Sequence, residues 1–154
     1  MTKTLMTVSL IYEPPQILLG MKKRGFGQGR WNGFGGKVKQ GESIEESAIR
    51  EIKEETGIFV EEIERRGIID FEFQEKPGEI LEVHFFKIKK YSGVPSESEE
   101  MFPKWFHIDE IPYKEMWPDD KYWMPLFLEN KKFRGKIYFK DQNTILNQKI
   151  EIIS

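Results

Sequence analysis

Gly36-Lys-Val-Lys-Gln-Gly-Glu42-Ser-Ile-Glu-Glu-Ser-Ala-Ile-Arg50-Glu51-Ile-Lys-Glu54-Glu55-Thr-Gly57-Ile58 is the stretch that decides how the rest of the chain is read. Ser43, followed three residues later by Glu46, has the form of a capping box, in which each side chain satisfies a backbone N–H of the first turn. Gly57 stands where a helix stops in the left-handed conformation. Between them Glu51, Glu54 and Glu55 are related by i, i+3 and i+4, so they are predicted to share one face. Ala48, Ile49 and Ile52 form an apolar stripe turned roughly 100° away. The spacing predicts a helix with one face for packing and one for charge.

Like charges on adjacent turns repel one another by a few tenths of a kcal/mol per pair. Carboxylates also help a helix least near its C-terminus, where the macrodipole is negative. A hard divalent cation relieves both costs, because Mg²⁺ takes oxygen ligands and keeps waters that a phosphate can replace. Arg50 beside Glu51 is placed to orient a carboxylate by a charge-assisted contact. A solvated acidic face with ordinary ion pairs is the plainer explanation of such a run taken alone. The whole pattern, G-x5-E-x7-R-E-I-x-E-E-x-G-I, resembles the signature of the Nudix hydrolases at every position. That resemblance implies cleavage of a nucleoside diphosphate linked to a further group, with Mg²⁺ or Mn²⁺ as cofactor. It also implies one Nudix domain over residues 1–154, with the signature at 36–58.

Composition points the same way. The 154 residues are enough for one domain with a sizeable core. Hydrophobic residues at 38% and charged residues at 32% argue against disorder and against a membrane protein. A net charge of -2 provides no general basic field for nucleic acid polymers. The chain has no cysteine, which removes disulfide frameworks and thiolate zinc sites and suits a reducing compartment. We expect a monomer in the cytoplasm, with a mitochondrial or nuclear share left open, acting on a small nucleotide away from membranes.

Met6, Val8 and Leu10 alternate with Thr7 and Ser9, which predicts a half-buried strand. Glu13-Pro-Pro-Gln16 turns it into a second strand over 17–21. Strands are predicted at 68–73 and 81–88, joined through Lys76-Pro-Gly-Glu79 as a hairpin. A short strand is expected at 104–107, a helix at 120–130 that must accommodate Pro125, and a final strand pair at 133–139 and 144–152. Strands and helices interleave without regular βαβ spacing. The predicted class is therefore α/β of the α+β kind, a mixed sheet sandwiched between helices. His84 and His107 lie among apolar residues and read as structural.

The loop Lys22-Lys-Arg-Gly-Phe26-Gly-Gln-Gly29-Arg-Trp31-Asn32-Gly-Phe34-Gly35-Gly36-Lys37 precedes the helix. Its glycines allow a ligand close to the backbone, and its cations suit phosphate. The spacing fits neither a Walker A loop nor the dinucleotide fingerprint. Phe71 and Phe73, two apart on a strand, point the same way, as core aromatics also would. Trp117-Pro-Asp119-Asp120-Lys-Tyr122-Trp123 sets an acid pair between tryptophans. Asp120 could simply cap a helix there. A base stacked on Trp117 with its edge on the carboxyls would use both chemistries. Crowded carboxylates raise each other's pKa, so one could hold a proton and donate while the other accepts.

Leu18-Leu-Gly-Met-Lys-Lys-Arg-Gly-Phe26, Gly29-Arg-Trp-Asn-Gly-Phe-Gly-Gly-Lys-Val38 and Met116-Trp-Pro-Asp-Asp120 are similar to the animal-type 8-oxo-dGTP diphosphatase family, over about residues 5–146. The resemblance implies hydrolysis of oxidised purine triphosphates, such as 8-oxo-dGTP and 2-hydroxy-dATP, to the monophosphate and pyrophosphate. It implies that Asn32, Asp119 and Asp120 read the base edge. Trp117, Phe71 and Phe73 would form the walls, with Thr7, Lys22, Phe26, Leu81 and Trp123 nearby. The implied metal positions are the Gly35 carbonyl, Glu51, Glu54, Glu55 and Glu100, and the catalytic set is those glutamates with Arg50.

Departures from that family bear on selectivity. The 74–80 turn is about one residue longer, and Leu81 stands where a methionine is expected. That exchange keeps volume but gives up an adaptable thioether wall. The sequence after Leu146 is dissimilar. Other Nudix substrates, namely ADP-ribose, a methylated purine triphosphate or an RNA cap, would keep the helix and change the base cavity. A binding module without catalysis would need a broken signature, and an RNA-binding protein a basic face. The runs Lys87-Ile-Lys-Lys90 and Lys131-Lys-Phe-Arg134 read instead as solvated charge.

Overall fold

Strand β1 (Thr2–Glu13) runs through the middle of the computed structural model, which describes residues 1–154. It pairs antiparallel with β2 (Gln16–Lys22) across the Pro14–Pro15 turn and parallel with β5 (Glu79–Ser92), in register from Thr2 opposite Glu79 to Leu10 opposite Lys87. The other strands are β3 (Trp31–Asn32), β4 (Phe59–Phe73), β6 (Met101–His107), β7 (Phe133–Asp141) and β8 (Thr144–Ile152). The order is β3-β2-β1-β5-β4-β7-β8, with β6 on β2. The β1–β5 and β4–β7 pairs are parallel and the others antiparallel, so the sheet is mixed.

Helix α1 (Ile44–Thr56) begins as its sequence predicts. Glu46 N–H donates to Ser43 Oγ at 3.0 Å, and Ser43 N–H donates to Glu46 Oε1 at 2.8 Å. It ends at Gly57, whose φ of 82° is the left-handed stop. The division of faces differs from expectation. Ile49 is exposed, whereas Glu55 is buried beside Ala48 and Ile52. Ala48, Ile52 and Glu55 stand i, i+4 and i+7 along the helix, so one of the three carboxylates falls on the packed stripe.

The second helix, α2 (Asp120–Leu128), covers the other side. Trp123, Met124 and Phe127 join Ile69, Phe71, Val83, Phe85 and Phe133 in one core cluster. Ile52 of α1 joins Ile11, Leu18, Phe34, Ile58 and Ile88 in the other. Each large apolar side chain buried this way contributes about 1.5–3 kcal/mol. The helix stops short of the predicted end, and Asn130 takes φ 62° at the turn beyond it.

Two strand expectations need correction. Thr7 and Ser9 are buried, more so than the apolar Met6 and Val8 beside them. The glycine-rich loop lies across them, with Thr7 N–H on the Gly36 carbonyl at 2.9 Å and Phe34 N–H on the Ser9 carbonyl at 2.9 Å. Alternation therefore does not leave a solvent face. Strand β4 is also far longer than 68–73. Its first half carries Glu61, Glu62, Glu64 and Arg65, which hide the apolar period, with register shifts on this half. Cross-strand pairs from Glu61 to Lys90 and from Glu64 to Lys89, each 3.4 Å, flank it. His107 is exposed, and its Nδ1 accepts the Asp109 N–H at 3.1 Å as a cap on the short turn 108–110.

Candidate active site

The sheet, the glycine-rich loop and the start of α2 enclose a cavity of about 170 Å³. Thr7 comes from β1, Lys22 from the end of β2, and Phe26 and Asn32 from the loop and β3. Strand β4 supplies Phe71 and Phe73, β5 supplies Leu81, and the turn into α2 supplies Trp117, Asp119, Asp120 and Trp123. All eleven residues singled out for substrate line this one space, and Gly35 joins them. Its walls are mostly apolar, the usual surface for a small ligand with a few placed polar groups.

The walls are fixed by aromatic contacts. Phe73 stacks on Phe139 with centroids 4.9 Å apart and planes within 12°. Trp117 meets Phe26 at 4.9 Å and Phe73 edge-on at 6.3 Å. Phe139, Met6 and Val8 also line the cavity and were not singled out from sequence. Phe139 lies on β7 directly opposite Phe73, a parallel register that spacing alone does not reveal.

Asp119 and Asp120 are 4% and 6% exposed. Asp119 sits at the N-cap of α2 but makes no cap bond. Instead Trp123 Nε1–H is shared between Asp119 Oδ2 at 2.9 Å and Asp120 Oδ1 at 3.2 Å. Burial pushes the Asp119 carboxyl up to about 6. Burial first, and the neighbouring Asp119 second, push Asp120 well above the usual range. Desolvation thus leads, where crowding alone was expected. The pair can present one protonated and one ionised carboxyl to a ligand edge. Asn32 Nδ2 is taken by the Arg30 carbonyl at 2.7 Å, while Thr7 Oγ1 is buried with no partner in the protein.

One carboxylate of α1 meets the backbone that lines this cavity. Gly35 N–H donates to Glu55 Oε1 at 2.8 Å. Glu55 is 2% exposed, and burial first, then the Glu51 charge, push its carboxyl up to about 8. A Cβ on Gly35 would lie 1.8 Å from the Thr7 carbonyl oxygen, and one on Gly36 2.7 Å from the Glu51 carboxyl. Only glycine lets the backbone run this close to β1 and to the acids. An oxygen-only donor set that is partly desolvated suits a hard divalent cation, so these residues fit such an ion.

The expected gathering of Glu51, Glu54, Glu55 and Glu100 is not present. No three acidic or histidine side chains converge closely enough to hold an ion together. Each carboxylate is instead satisfied within the chain. Arg50 spans Glu51 at 2.8 Å and Glu54 at 3.3 Å, and grips Glu42 through Nη2 at 2.7 Å and Nε at 3.0 Å. Glu100 pairs with Arg24 at 2.9 Å. Like charges relax toward the nearest cation when nothing stronger holds them together. The Arg50 bond, followed by the Lys39 N–H, holds Glu42 down at about 2. Glu42 was part of the sequence pattern but was assigned no role there, although its place in that pattern was the available signal.

Arg30 was also missed. Its guanidinium lies 4.4 Å over the Trp117 ring, and its Nη2 donates to Asn143 Oδ1 at 2.6 Å. No local pattern announces a contact between residues this far apart in sequence.

Comparison with known proteins follows this geometry. The NUDIX domain family matches residues 3–127. The mouse oxidized purine nucleoside triphosphate hydrolase is 53% identical over 146 residues, covering 95% of this chain and 93% of its own. The zebrafish protein of the same name is 48% identical, covering 97% and 96%. The crystal structure of a mutator MutT protein from Bacillus halodurans superposes with a TM-score of 0.84 at 28% identity, covering 96% of this chain and 97% of that one.

Proposed function

The chain belongs to the NUDIX domain family, and on that premise we propose that it hydrolyses oxidised purine nucleoside triphosphates, such as 8-oxo-dGTP and 2-hydroxy-dATP, to the monophosphate and pyrophosphate. The observation that carries this is the buried Asp119–Asp120 pair at the end of an aromatic-walled cavity whose backbone meets Glu55. The two near-full-length relatives, whose names state this class of substrate, support the same reading. In such a pool-cleaning role the enzyme removes mutagenic nucleotides before a polymerase can use them.

The purine enters between Trp117 and the Phe71–Phe73 wall, where stacking holds any base face. Asp119, Asp120 and Asn32 then read its edge. A protonated carboxyl donates and an ionised one accepts, so the pair matches edges that carry a new oxygen or N–H. Lys22 and the glycine-rich backbone face the phosphates. Glu51, Glu54, Glu55, Glu100 and the Gly35 carbonyl would hold Mg²⁺, with Mn²⁺ as a substitute, and the bound ion would neutralise phosphate charge and make a water more acidic. One of these glutamates accepts the proton of the attacking water. Arg50 orients Glu51 and Glu54.

On this reading the enzyme acts on free nucleotides as a monomer. The absence of cysteine suits the cytosol. No helix is long and apolar enough to cross a membrane. The test is pyrophosphate release with Mg²⁺ from 8-oxo-dGTP, 2-hydroxy-dATP, dGTP and dATP, with ADP-ribose and a capped dinucleotide alongside. We expect the oxidised purines to be preferred at least tenfold in kcat/KM. Equal or faster turnover of ADP-ribose or the cap would remove the base assignment.

A further inference from the structure

Trp123 follows Asp119 and Asp120 by one turn at the start of α2, and long helical side chains lean back toward the N-terminus. Its ring therefore reaches over the acid pair. Phe85 at 4.5 Å, Phe133 stacked at 6.2 Å and Phe127 edge-on at 6.4 Å hold that ring, which is 2% exposed. Packed on these sides, its N–H has one direction. It donates to Asp119 Oδ2 at 2.9 Å and to Asp120 Oδ1 at 3.2 Å. No side chain outside the pair makes another hydrogen bond to either carboxyl.

An indole N–H only donates, so both oxygens it meets act as acceptors. A donor fixed between two buried carboxyls favours charge on them, whereas two charges this close in a dry site repel. One charge held under the N–H satisfies both demands. The remaining proton then belongs on Asp119 Oδ1 or Asp120 Oδ2. Neither oxygen is sealed from solvent without a partner, and both residues line the cavity. The other ionisable groups that face the pair are Arg30, whose guanidinium is bonded to Asn143, Tyr113 from the turn before α2, and Lys22 from β2. Burial raises both carboxyls, and the Trp123 bond is the largest influence against that rise, ahead of the Arg30 charge.

We propose that Trp123 is a positioning residue, which keeps one negative charge on the Asp119–Asp120 pair and turns the protonated oxygen toward the ligand. Without the N–H, the buried carboxylate loses its one fixed side-chain donor and takes up a proton instead. The pair then offers two donors and no ionised acceptor, so the edge pattern it matches changes while the aromatic walls stay. The bearing on base choice rests on the substrate reading above; the placement of the charge does not.

The test follows the carboxyl carbon resonances of the two aspartates against pH in the nucleotide-free protein. Trp123→Phe should raise the midpoint of the pair by about one to two pH units, the size of one hydrogen bond to a buried charge. A second variant carries benzothienylalanine at position 123, in which sulphur replaces the N–H and the ring keeps its shape. It should show the same rise, and it keeps the test valid if Trp123→Phe does not fold. The pH profile of kcat/KM for 8-oxo-dGTP over dGTP should move up by the same amount. An unmoved midpoint in the sulphur variant overturns the assignment. A rise confined to Trp123→Phe also overturns it, since packing would then be the cause. A raised midpoint in both variants, without any preference of the parent for oxidised purines, upholds the role of Trp123 and overturns the substrate reading instead.

Discussion

The base cavity and the acidic end of α1 are joined by one hydrogen bond, from Gly35 N–H to Glu55, yet they are held in opposite ways. The cavity is set by packing. Phe73 lies flat on Phe139, and Trp123 is wedged against Phe85 and Phe133 while its indole N–H grips both aspartates. The acidic end is set by charge, with Arg50 shared among Glu42, Glu51 and Glu54, and Glu100 drawn off to Arg24. Close-packed contacts have one arrangement and resist change. Part-exposed ion pairs are worth little each and re-sort when a stronger charge arrives. On the proposed reading, recognition is therefore built in advance, whereas the groups for chemistry remain adjustable.

The largest test of that contrast is Glu55→Gln. Turnover should fall by about 10³-fold, the usual scale for losing a proton-transfer or charge-stabilising group. The fold should hold, because a carboxyl pushed up to about 8 is mostly neutral at pH 7 and an amide of the same shape replaces it. Stability should move by less than about 1 kcal/mol. Steady-state kinetics with a thermal melt decides. Turnover within threefold of the parent would break the division, since the acidic end would then not carry the chemistry.

Asp120→Asn is expected to act more weakly on rate and more sharply on choice. Discrimination between 8-oxo-dGTP and dGTP should fall by roughly 10- to 100-fold, because one buried edge partner is mispaired. The same variant reports on stability. The folded pKa values of the pair are raised, Asp119 to about 6, so the protonated forms are favoured in the fold. The contribution of the pair is thus fully present in acid and is lost as pH rises past about 6. Asp120→Asn should therefore melt higher than the parent at pH 8, with the difference closing only as pH falls below the unfolded value near 3.8. Equal losses on every base would move the pair from recognition to mere support.

How far the sequence could be read follows the same line. The α1 caps and the hairpin signal before β5 were legible because each is written in local spacing, whereas the aromatic and acidic positions of the cavity were legible through the family resemblance. The first half of β4 was not, since its acidic and basic residues answer partners on β5 and mask the strand period. Ile49 and Glu55 exchanged expected places because a helical wheel does not say where along a charged arc the sheet makes contact. Phe139 and Arg30 come from pairings across the fold that only the parallel β4–β7 register and the β7–β8 turn create. The burial of Arg66 gave no signal, because its partners Glu64 and the Lys131 carbonyl are visible only once the strands are placed.

Arg30 offers the smallest and most discriminating test, because it touches both modes of construction. It stacks on Trp117, and its charge also opposes the upward shift of both aspartates. If stacking is its role, Arg30→Met removes about 1 kcal/mol of support for the wall. KM should then rise by about fivefold with kcat unchanged, equally for oxidised and ordinary bases, since every base has a π face. Asn143→Ala, which removes only the 2.6 Å tether, should give a fraction of the same effect. If charge is its role, the loss lets the aspartates hold protons to higher pH, and selectivity shifts while KM for ordinary bases does not. Arg30→Lys keeps the charge without the flat stack, so it should rescue selectivity in the second case and leave KM high in the first. A parallel rise in KM across bases, unrescued by lysine, would mark Arg30 as part of the packed wall.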